Sequence, residues 1–544
     1  MNTIKTLIQN ICPQAVFSEG EKPVPEVELT PRELADLLLP LREEKGLQFD
    51  YLEDLIGMDF GEQLGVIYRL YSTVNKHWVV LVCKAESREH PTLPTLSHLW
   101  AIADFYEREV FDFFGILFIG HPDMRRLFLR QDWTGYPLRK DYDASSDLNP
   151  LRLEAEPMRD DTDAVIRKED GETAEEKHVV FDKDEYVVNI GPQHPATHGV
   201  LHFQVSLEGE IVKKVDVHCG YIHRGIEKMC ESLTYPQTLA MTDRLDYLSA
   251  HQNRHALCAC IEEAMGLEIP TRALYIRTLM DELSRIQSHL LFYATFCMDL
   301  GALTPFFYGF RDREMILNIF EDTTGGRLIQ NYNVIGGVSR DLHPDFVEKT
   351  GQFIRYLPKV LKEYRQVFTD NVIFRQRTKG IGLLSAGQAV SYGVSGPTAR
   401  ASGVACDIRK RMPYAAYEEV SFREVLHTEG DALARYLVRM EEIEESLAII
   451  DQLLTKLPAG EYCAKTKPVV KLPEGRFFKS VENARGEFGV FIESRGDKYP
   501  YRLKFHPPCL PLVSLVNPLA SGNKIADLIT IGASLDYVVP DIDR

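Results

Sequence analysis

The stretch from Asp141 to Glu185 decides how this 544-residue chain can divide. It carries 16 acidic and 6 basic residues, more than half of the excess behind the whole-chain charge of −18, and few apolar side chains. Such a segment cannot bury enough surface to offset its conformational entropy, and its like charges repel, so it reads as a linker or a surface-wrapping arm. A chain of this length is expected to fold as two or more domains. The break therefore falls between residues 1–140 and residues 186–544.

Residues 1–140 read as a small mixed α/β domain. In TPRELADLLLPLREEKG, Thr30 is an N-cap, Pro31 opens the first turn, Glu33 completes a capping box and Gly46 is a stop. Strands are expected at LGVIYRLYS (64–72), HWVVLVCKAE (77–86) and FGILFIG (114–120), with a helix over TLSHLWAIADFYEREVFDFFG.

Residues 186–544 open with two strands, YVVNIG and VLHFQVSLEGEIVKKVDVHCG, and then turn helical. Helical spacing covers 223–233, 243–266, 271–301, 311–325, 343–370 and 429–457, the pattern of an elongated bundle, and strands return at GEFGVFIESRG and YRLKFHPP. A single layer begun before the helices and completed after them would account for both strand regions. The fold class is α+β: a small α/β domain, an acidic linker, and a large mainly helical domain with a flanking small β-sheet. No uncharged apolar run spans a bilayer; the nearest, at 290–310, is broken by Asp299, Gly301 and Pro305.

The acidic balance argues against nucleic acid as a partner. Ten cysteines without a CxxC, and a start lacking a targeting segment, read as buried thiols of a reduced cytosolic protein. Cys258 and Cys260 point about 200° apart on a helix and make a poor chelate. GVSGPTARASG is no phosphate loop, and no metal motif occurs.

Candidate chemistry centres on GPQHPATHGV, 191–200, where Gly and Pro stiffen a turn holding His194 and His198. A histidine bracing a buried carbonyl is the plain alternative. Asp299 follows nine largely apolar residues, where a carboxylate is costly unless paired; meeting His198 it would raise the imidazole pKa. Arg244, Asp246 and Tyr247 are placed at the start of a long helix, with Asp243 as cap or first-turn residue. Glu282, Arg285 and His289 share a helix face that reads as an ion-paired stripe. In EREVFDFFG, Glu107, Arg108, Glu109 and Asp112 have Arg125, Arg126, Arg130, Arg139 and Lys140 downstream as partners, and Trp133 and Tyr136 read as interface residues.

These residues carry a resemblance. Residues 107–142 resemble the C subunit of the respiratory NADH:quinone oxidoreductase, complex I. NIGPQHPATHGVLHFQV and HCGYIHRGIEKMCESLTYPQTLAMTDRLDYLSAHQNR resemble its D subunit, as do DELSRIQSHL, DLGALTPFFYGFRDRE, YNVIGGV, GPTARASGVACDIRK, ARGEFG and SLDYVVPDIDR. The resemblance implies a fused C/D subunit whose D part lines the quinone chamber beside the terminal iron-sulfur cluster of a partner. By that resemblance His198 and Tyr247 hold and protonate the quinone carbonyls, and Asp299 pairs with the histidine. His194, Gly199 and Val200 belong to the chamber loop, and Arg244 approaches the cluster. Glu107, Arg108, Glu109, Asp112, Arg125 and Arg126 belong to a partner interface.

The resemblance also implies no metal or cofactor bound by this chain. Quinone is the substrate, and iron-sulfur clusters and FMN sit in partner subunits. The partners are the subunit with the terminal 4Fe-4S cluster, a membrane subunit of the chamber and other peripheral-arm subunits, on the cytoplasmic face of a bacterial inner membrane, with quinone reduction coupled to ion translocation. A scaffold role, or ferredoxin in place of NADH, would leave the same sequence. The D part further resembles nickel-iron hydrogenase large subunits, but Asp246, Ser249, Val538 and Asp541 stand where those enzymes place four thiolates, so soft-metal ligation is lost. Ile329 replaces a histidine frequent in the family, which puts pH coupling of the cluster in doubt and suits a low-potential quinone such as menaquinone.

Overall fold

The structure is a computed structural model that describes residues 2–18, 24–131, 133–143, 162–167, 173–178, 180–181 and 185–544. Cα packing divides the chain into two compact units. One comprises Met1–Val187, His218–Gly220 and Val390–Gly393; the other comprises Val188–Val217, Tyr221–Ala389 and Val394–Arg544. The architecture is α+β, a small sheet-based unit and a large mainly helical one. Most of the expected linker lies outside the described residues. Within it, Thr162–Arg167 and Thr173–His178 pair as antiparallel strands, which its composition does not suggest.

The first unit is built on a five-stranded sheet of β1 (Val16–Phe17), β2 (Glu26–Leu29), β3 (Tyr51–Asp59), β4 (Leu64–Ser72) and β5 (His77–Lys84), in the order β1-β2-β5-β4-β3. β3, β4 and β5 run antiparallel, and β2 joins β5 in parallel. The helix after β2, Pro31–Glu43, begins with the expected capping box between Thr30 and Glu33. β3 escapes a reading of the sequence because Glu53, Asp54 and Asp59 disguise it. In the sheet Glu53 pairs with Arg69 at 2.9 Å and Asp59 with Arg88 at 2.8 Å.

The next helix is shorter than expected, Ala103–Phe114. Glu107 reaches back to accept the Leu96 amide and the Thr95 hydroxyl, both at 2.6 Å, which holds 95–102 in turns. Its last residue, Phe114, lies against β3 at Gly57, where a Cβ would stand 2.5 Å from the ring.

The second unit is organised around the 29-residue helix Thr271–Asp299. Gly301, at φ +85°, lets the chain reverse into Leu303–Thr324, and Ala432–Lys456 also packs against the long helix. Leu279, Leu283, Ile286, Leu290 and Phe296 join one continuous core. Two helix starts differ from expectation. Leu303–Thr324 begins eight residues before 311, and residues 243–249 are turns between Tyr235–Thr242 and Ala250–Met265.

The strands of this unit form separate sheets rather than the single expected layer. Gly475–Asn483, Gly486–Ser494 and Arg502–His506 make an antiparallel sheet packed on Ala250–Met265. The hairpin His202–Glu208/Ile211–His218 belongs to another sheet, tied to the C-terminal region by a bridge between Ile211 and Lys524. Among the described residues no helix is long and apolar enough to cross a membrane.

Candidate functional site

The GPQHPATHGV loop is held by its own backbone. His194 caps the single 3-10 turn Pro195–Thr197, its Nδ1 accepting the Ala196 amide at 3.2 Å. The Thr197 hydroxyl is shared between the carbonyls of His194 at 2.7 Å and Gly199 at 2.8 Å. His198 then adopts φ +54°, a left-handed conformation that costs a side-chain-bearing residue about 1 kcal/mol. Gly199 follows at φ +151°, and a Cβ there would stand 2.6 Å from Val539 Cγ2. The loop is thus seated on the start of the C-terminal helix Val539–Asp543, with His194 and Gly199 exposed and Val200 half-buried.

Held this way, His198 meets Asp299, with Nε2 and Oδ2 2.7 Å apart. Asp299 is the last residue of Thr271–Asp299, where the helix dipole disfavours a carboxylate and favours a cation. An imidazolium beside it answers both terms. Burial pulls the His198 pKa down, but the hydrogen bond and charge of Asp299, with Asp536 behind it, more than compensate, so the pKa is raised. With Nε2 given to Asp299, Nδ1 is the nitrogen left to meet another group.

Tyr247 lies in the turn segment rather than on a helix, and is 39 % exposed. Desolvation raises the pKa of its phenol, so it stays protonated at neutral pH. Its neighbour Asp246 is buried: one oxygen accepts the Leu248 amide at 3.0 Å, which shapes the turn, and the other takes Arg485 Nη1 at 2.8 Å. Arg244 is exposed on the same turn. Asp243 is not a cap of the following helix; it pairs with Arg254 at 3.0 Å.

Arg485 belongs to the site although nothing in its motif, ARGEFG, marks it out in the sequence. Fully buried at the turn between Asn483 and Gly486, it donates to Asp246, to Ser288 Oγ at 3.0 Å, to Asp536 Oδ1 at 3.2 Å and to the Asp536 carbonyl at 2.7 Å. Arg439 reaches the other oxygen of Asp536 at 3.6 Å. One guanidinium thus sits behind both His198 and Tyr247, and its charge acts on both. An arginine beside a glycine in a strand turn is the one available signal, without a period to strengthen it.

The other expected residues resolve differently. Glu282, Arg285 and His289 are fully buried, and Glu282 and Arg285 are ion-paired at 3.3 Å, in line with the expected stripe. Glu282 accepts from Tyr417 and Ser446, both at 2.6 Å, and pairs with Arg409 at 3.1 Å; His289 pairs with Glu442 at 3.0 Å. Glu107, Arg108, Glu109, Asp112, Arg125 and Arg126, expected at a partner interface, are all buried within the first unit. Asp112 accepts the amides of Leu127, Phe128 and Leu129 and pairs with Arg126 at 2.9 Å, while Arg108 donates to the carbonyls of Arg125 and Arg126. These side chains fix the backbone of 125–129 rather than offer themselves to a surface. Eight of the ten cysteines are buried, and Cys12 and Cys463 are half-buried. Among the described residues no group of three or more His, Cys, Asp and Glu is arranged to hold a metal.

A helical unit with a buried, ion-paired interior that presents a histidine and a tyrosine, carried on one chain with a small α/β unit, has counterparts among known proteins. The family of the respiratory-chain NADH dehydrogenase 30 Kd subunit matches residues 27–147, and that of the 49 Kd subunit matches 299–471 and 464–544. The NADH-quinone oxidoreductase C/D subunit of Phocaeicola vulgatus is 62 % identical over 519 residues, which cover 95 % of this chain and 99 % of that protein. The corresponding C/D subunit of Bacteroides fragilis is 59 % identical over 527 residues, covering 95 % and 99 %. One from Aquifex aeolicus is 39 % identical over 555 residues, covering 94 % of each chain. The chain belongs to the fused C/D subunits of NADH-quinone oxidoreductase.

Proposed function

We propose that the second unit receives the quinone head group between His198 and Tyr247 and supplies the protons of its reduction. The observation that carries this reading is the 2.7 Å pair of His198 with Asp299, together with an exposed Tyr247 on which the same Arg485 and Asp536 act, two proton donors of different kind on turns. Reduction of a quinone to a quinol takes two electrons and two protons. His198 gives one proton from Nδ1 to one carbonyl oxygen, and Tyr247 gives the other from its hydroxyl. Asp299 holds the imidazole in orientation and favours its charged form before transfer, and neutral Tyr247 brings no bare charge to the site.

The electrons come from a partner subunit's iron-sulfur cluster, fed from NADH through FMN and further clusters in other subunits, and Arg244, exposed on its turn, faces that partner. The chamber is completed by a membrane subunit, whose neighbours couple the reaction to ion translocation. The chain works as a peripheral subunit on the cytoplasmic face of a bacterial inner membrane.

The test is NADH-driven quinone reduction by membranes carrying His198→Ala or Tyr247→Phe, with complex assembly and cluster reduction followed in parallel. Each substitution is expected to lower turnover by about 10²- to 10⁴-fold, the usual worth of a positioned proton donor, with assembly and cluster reduction unchanged. Wild-type turnover in both variants would leave this chain a scaffold.

A further inference from the structure

Arg485 is fully buried on a turn that is itself braced. Its amide donates to Asn483 Oδ1 at 3.0 Å, the Asn483 carbonyl accepts from Arg285 at 3.0 Å, and the Glu487 amide donates to Ser395 Oγ at 2.9 Å. From this seat the guanidinium makes four hydrogen bonds to three segments far apart in the chain. One goes to Asp246 on the tyrosine turn, one to Ser288 on the helix that ends at Asp299, and two to Asp536, at its carboxylate and at its carbonyl.

Each of these contacts leads to a proton donor by a short structural route. On the tyrosine side, Asp246 Oδ2 takes Arg485 Nη1 at 2.8 Å and Oδ1 takes the Leu248 amide at 3.0 Å, so the carboxylate spans Tyr247 and sets the path of the turn that presents it. On the histidine side, Asp536 caps the helix Ile525–Leu535 in a left-handed conformation, φ +59°, which a side-chain-bearing residue seldom adopts. Arg485 grips it there, Nε to the carbonyl at 2.7 Å and Nη2 to Oδ1 at 3.2 Å. The histidine loop rests on both sides of that residue. Its turn Pro195–Thr197 packs on the helix Ile525–Leu535, and Gly199 lies against Val539. The fourth bond, to Ser288 Oγ at 3.0 Å, ties the guanidinium to the helix Thr271–Asp299, whose last residue pairs with His198.

We infer that Arg485 is a positioning residue of the quinone site, a clamp that fixes the spacing and orientation of His198 and Tyr247 relative to each other. It acts through Asp246, Ser288 and Asp536 rather than by contact with either donor. The two carbonyl oxygens of a quinone stand at a fixed separation on one rigid ring, so two donors serve both of them only if their own separation is fixed as well. A misplacement of about 1 Å in such an arrangement costs about 10²-fold in rate. An arginine suits the task where a lysine does not. Its planar fork aims several donors in set directions, whereas an ammonium is a single point charge on a flexible stem. Arg485→Lys therefore keeps the positive charge that faces Asp246 and Asp536 and loses the grip on all three segments at once.

This inference rests on the proposed quinone site, and the test separates the two. Arg485→Lys is introduced into the intact complex in native membranes, and NADH-driven quinone reduction is measured in ordinary and in heavy water. The expected result is normal assembly and cluster reduction, KM for quinone within about twofold of wild type, and kcat lowered about 10²-fold. The solvent deuterium isotope effect on kcat is expected to exceed that of wild type, because misaligned proton transfer becomes the slow step. Asp246→Asn keeps an acceptor for the Leu248 amide and removes the carboxylate oxygen that Arg485 grips; the same pattern is expected of it, and it decides if Arg485→Lys fails to assemble. Wild-type kcat in either variant, while His198→Ala is inactive, would overturn the clamp and leave the quinone site standing. A lowered kcat with an unchanged isotope effect would assign Arg485 a packing role and equally overturn the inference. Wild-type turnover in both His198→Ala and Tyr247→Phe would remove the site and the clamp with it.

Discussion

At the residue scale, the pair His198 and Asp299 ties chemistry to pH. The folded pKa of His198 is raised above its ordinary value of 6.5, so the charged pair contributes fully below that value and is lost as pH rises through the folded pKa. Asp299→Asn removes the charge and the charge-assisted hydrogen bond, the largest influences opposing burial, which drives the imidazole pKa down. The expected outcome is an alkaline limb of quinone reduction displaced to lower pH, with a rate above neutrality lowered about tenfold. A pH profile of membranes carrying the variant checks this; an unmoved limb would mean that Asp299 does not set the protonation of His198. The pair is legible in the sequence, because a carboxylate after nine apolar residues demands a partner and a Gly/Pro-stiffened histidine is a ready one. Arg485 is not. Its meaning depends on Asp246, Ser288 and Asp536, which are far apart in the chain and meet only in the fold.

At the scale of elements, Gly57 in β3 is a point where two elements fix each other. A Cβ would enter the Phe114 ring at 2.5 Å, so Gly57→Ala must push the helix Ala103–Phe114 off the sheet, at a cost of about 1–3 kcal/mol. The expected outcome is a lower thermal midpoint for the complex's peripheral arm, read by calorimetry against wild type, with quinone KM unchanged; an unshifted midpoint would contradict the packing. Where local rules govern, the sequence is a good guide. The capping box at Thr30 and Glu33 and the strand β4 both appear at the expected positions. Where tertiary partners override local preference it is not. Glu107 breaks the front half of an amphipathic helix by capturing the Leu96 amide, β3 hides Glu53 and Asp59 in ion pairs, and the 243–249 turns replace a helix because Asp246 serves both the Leu248 amide and Arg485.

At the scale of the whole molecule, the second unit differs from an ordinary helical bundle in what its core contains. The helix Thr271–Asp299 buries Asp281, Glu282, Arg285 and His289 among its apolar neighbours, with Glu282 and Arg285 held in ion pairs and Asp281 and His289 in histidine–carboxylate hydrogen bonds. Buried ion pairs of this kind are a poor source of net stability, because desolvation consumes most of the attraction, but a missing member leaves an uncompensated charge. The same helix is tied to the tyrosine turn by Gln287, which donates to the Leu248 carbonyl at 2.7 Å, and by Ser288, which accepts from Arg485 at 3.0 Å. The relatives that share the fusion extend from 62 % to 39 % identity and cover nearly the whole chain, so these two parts stay joined across that range. The most direct measurement of the central claim is photoaffinity labelling of the intact complex with an azidoquinone, followed by mapping of the modified peptides. The account predicts label on 194–200 and 244–249, competed away by excess quinone. Competable label confined to other segments of this chain, or to other subunits alone, would contradict it.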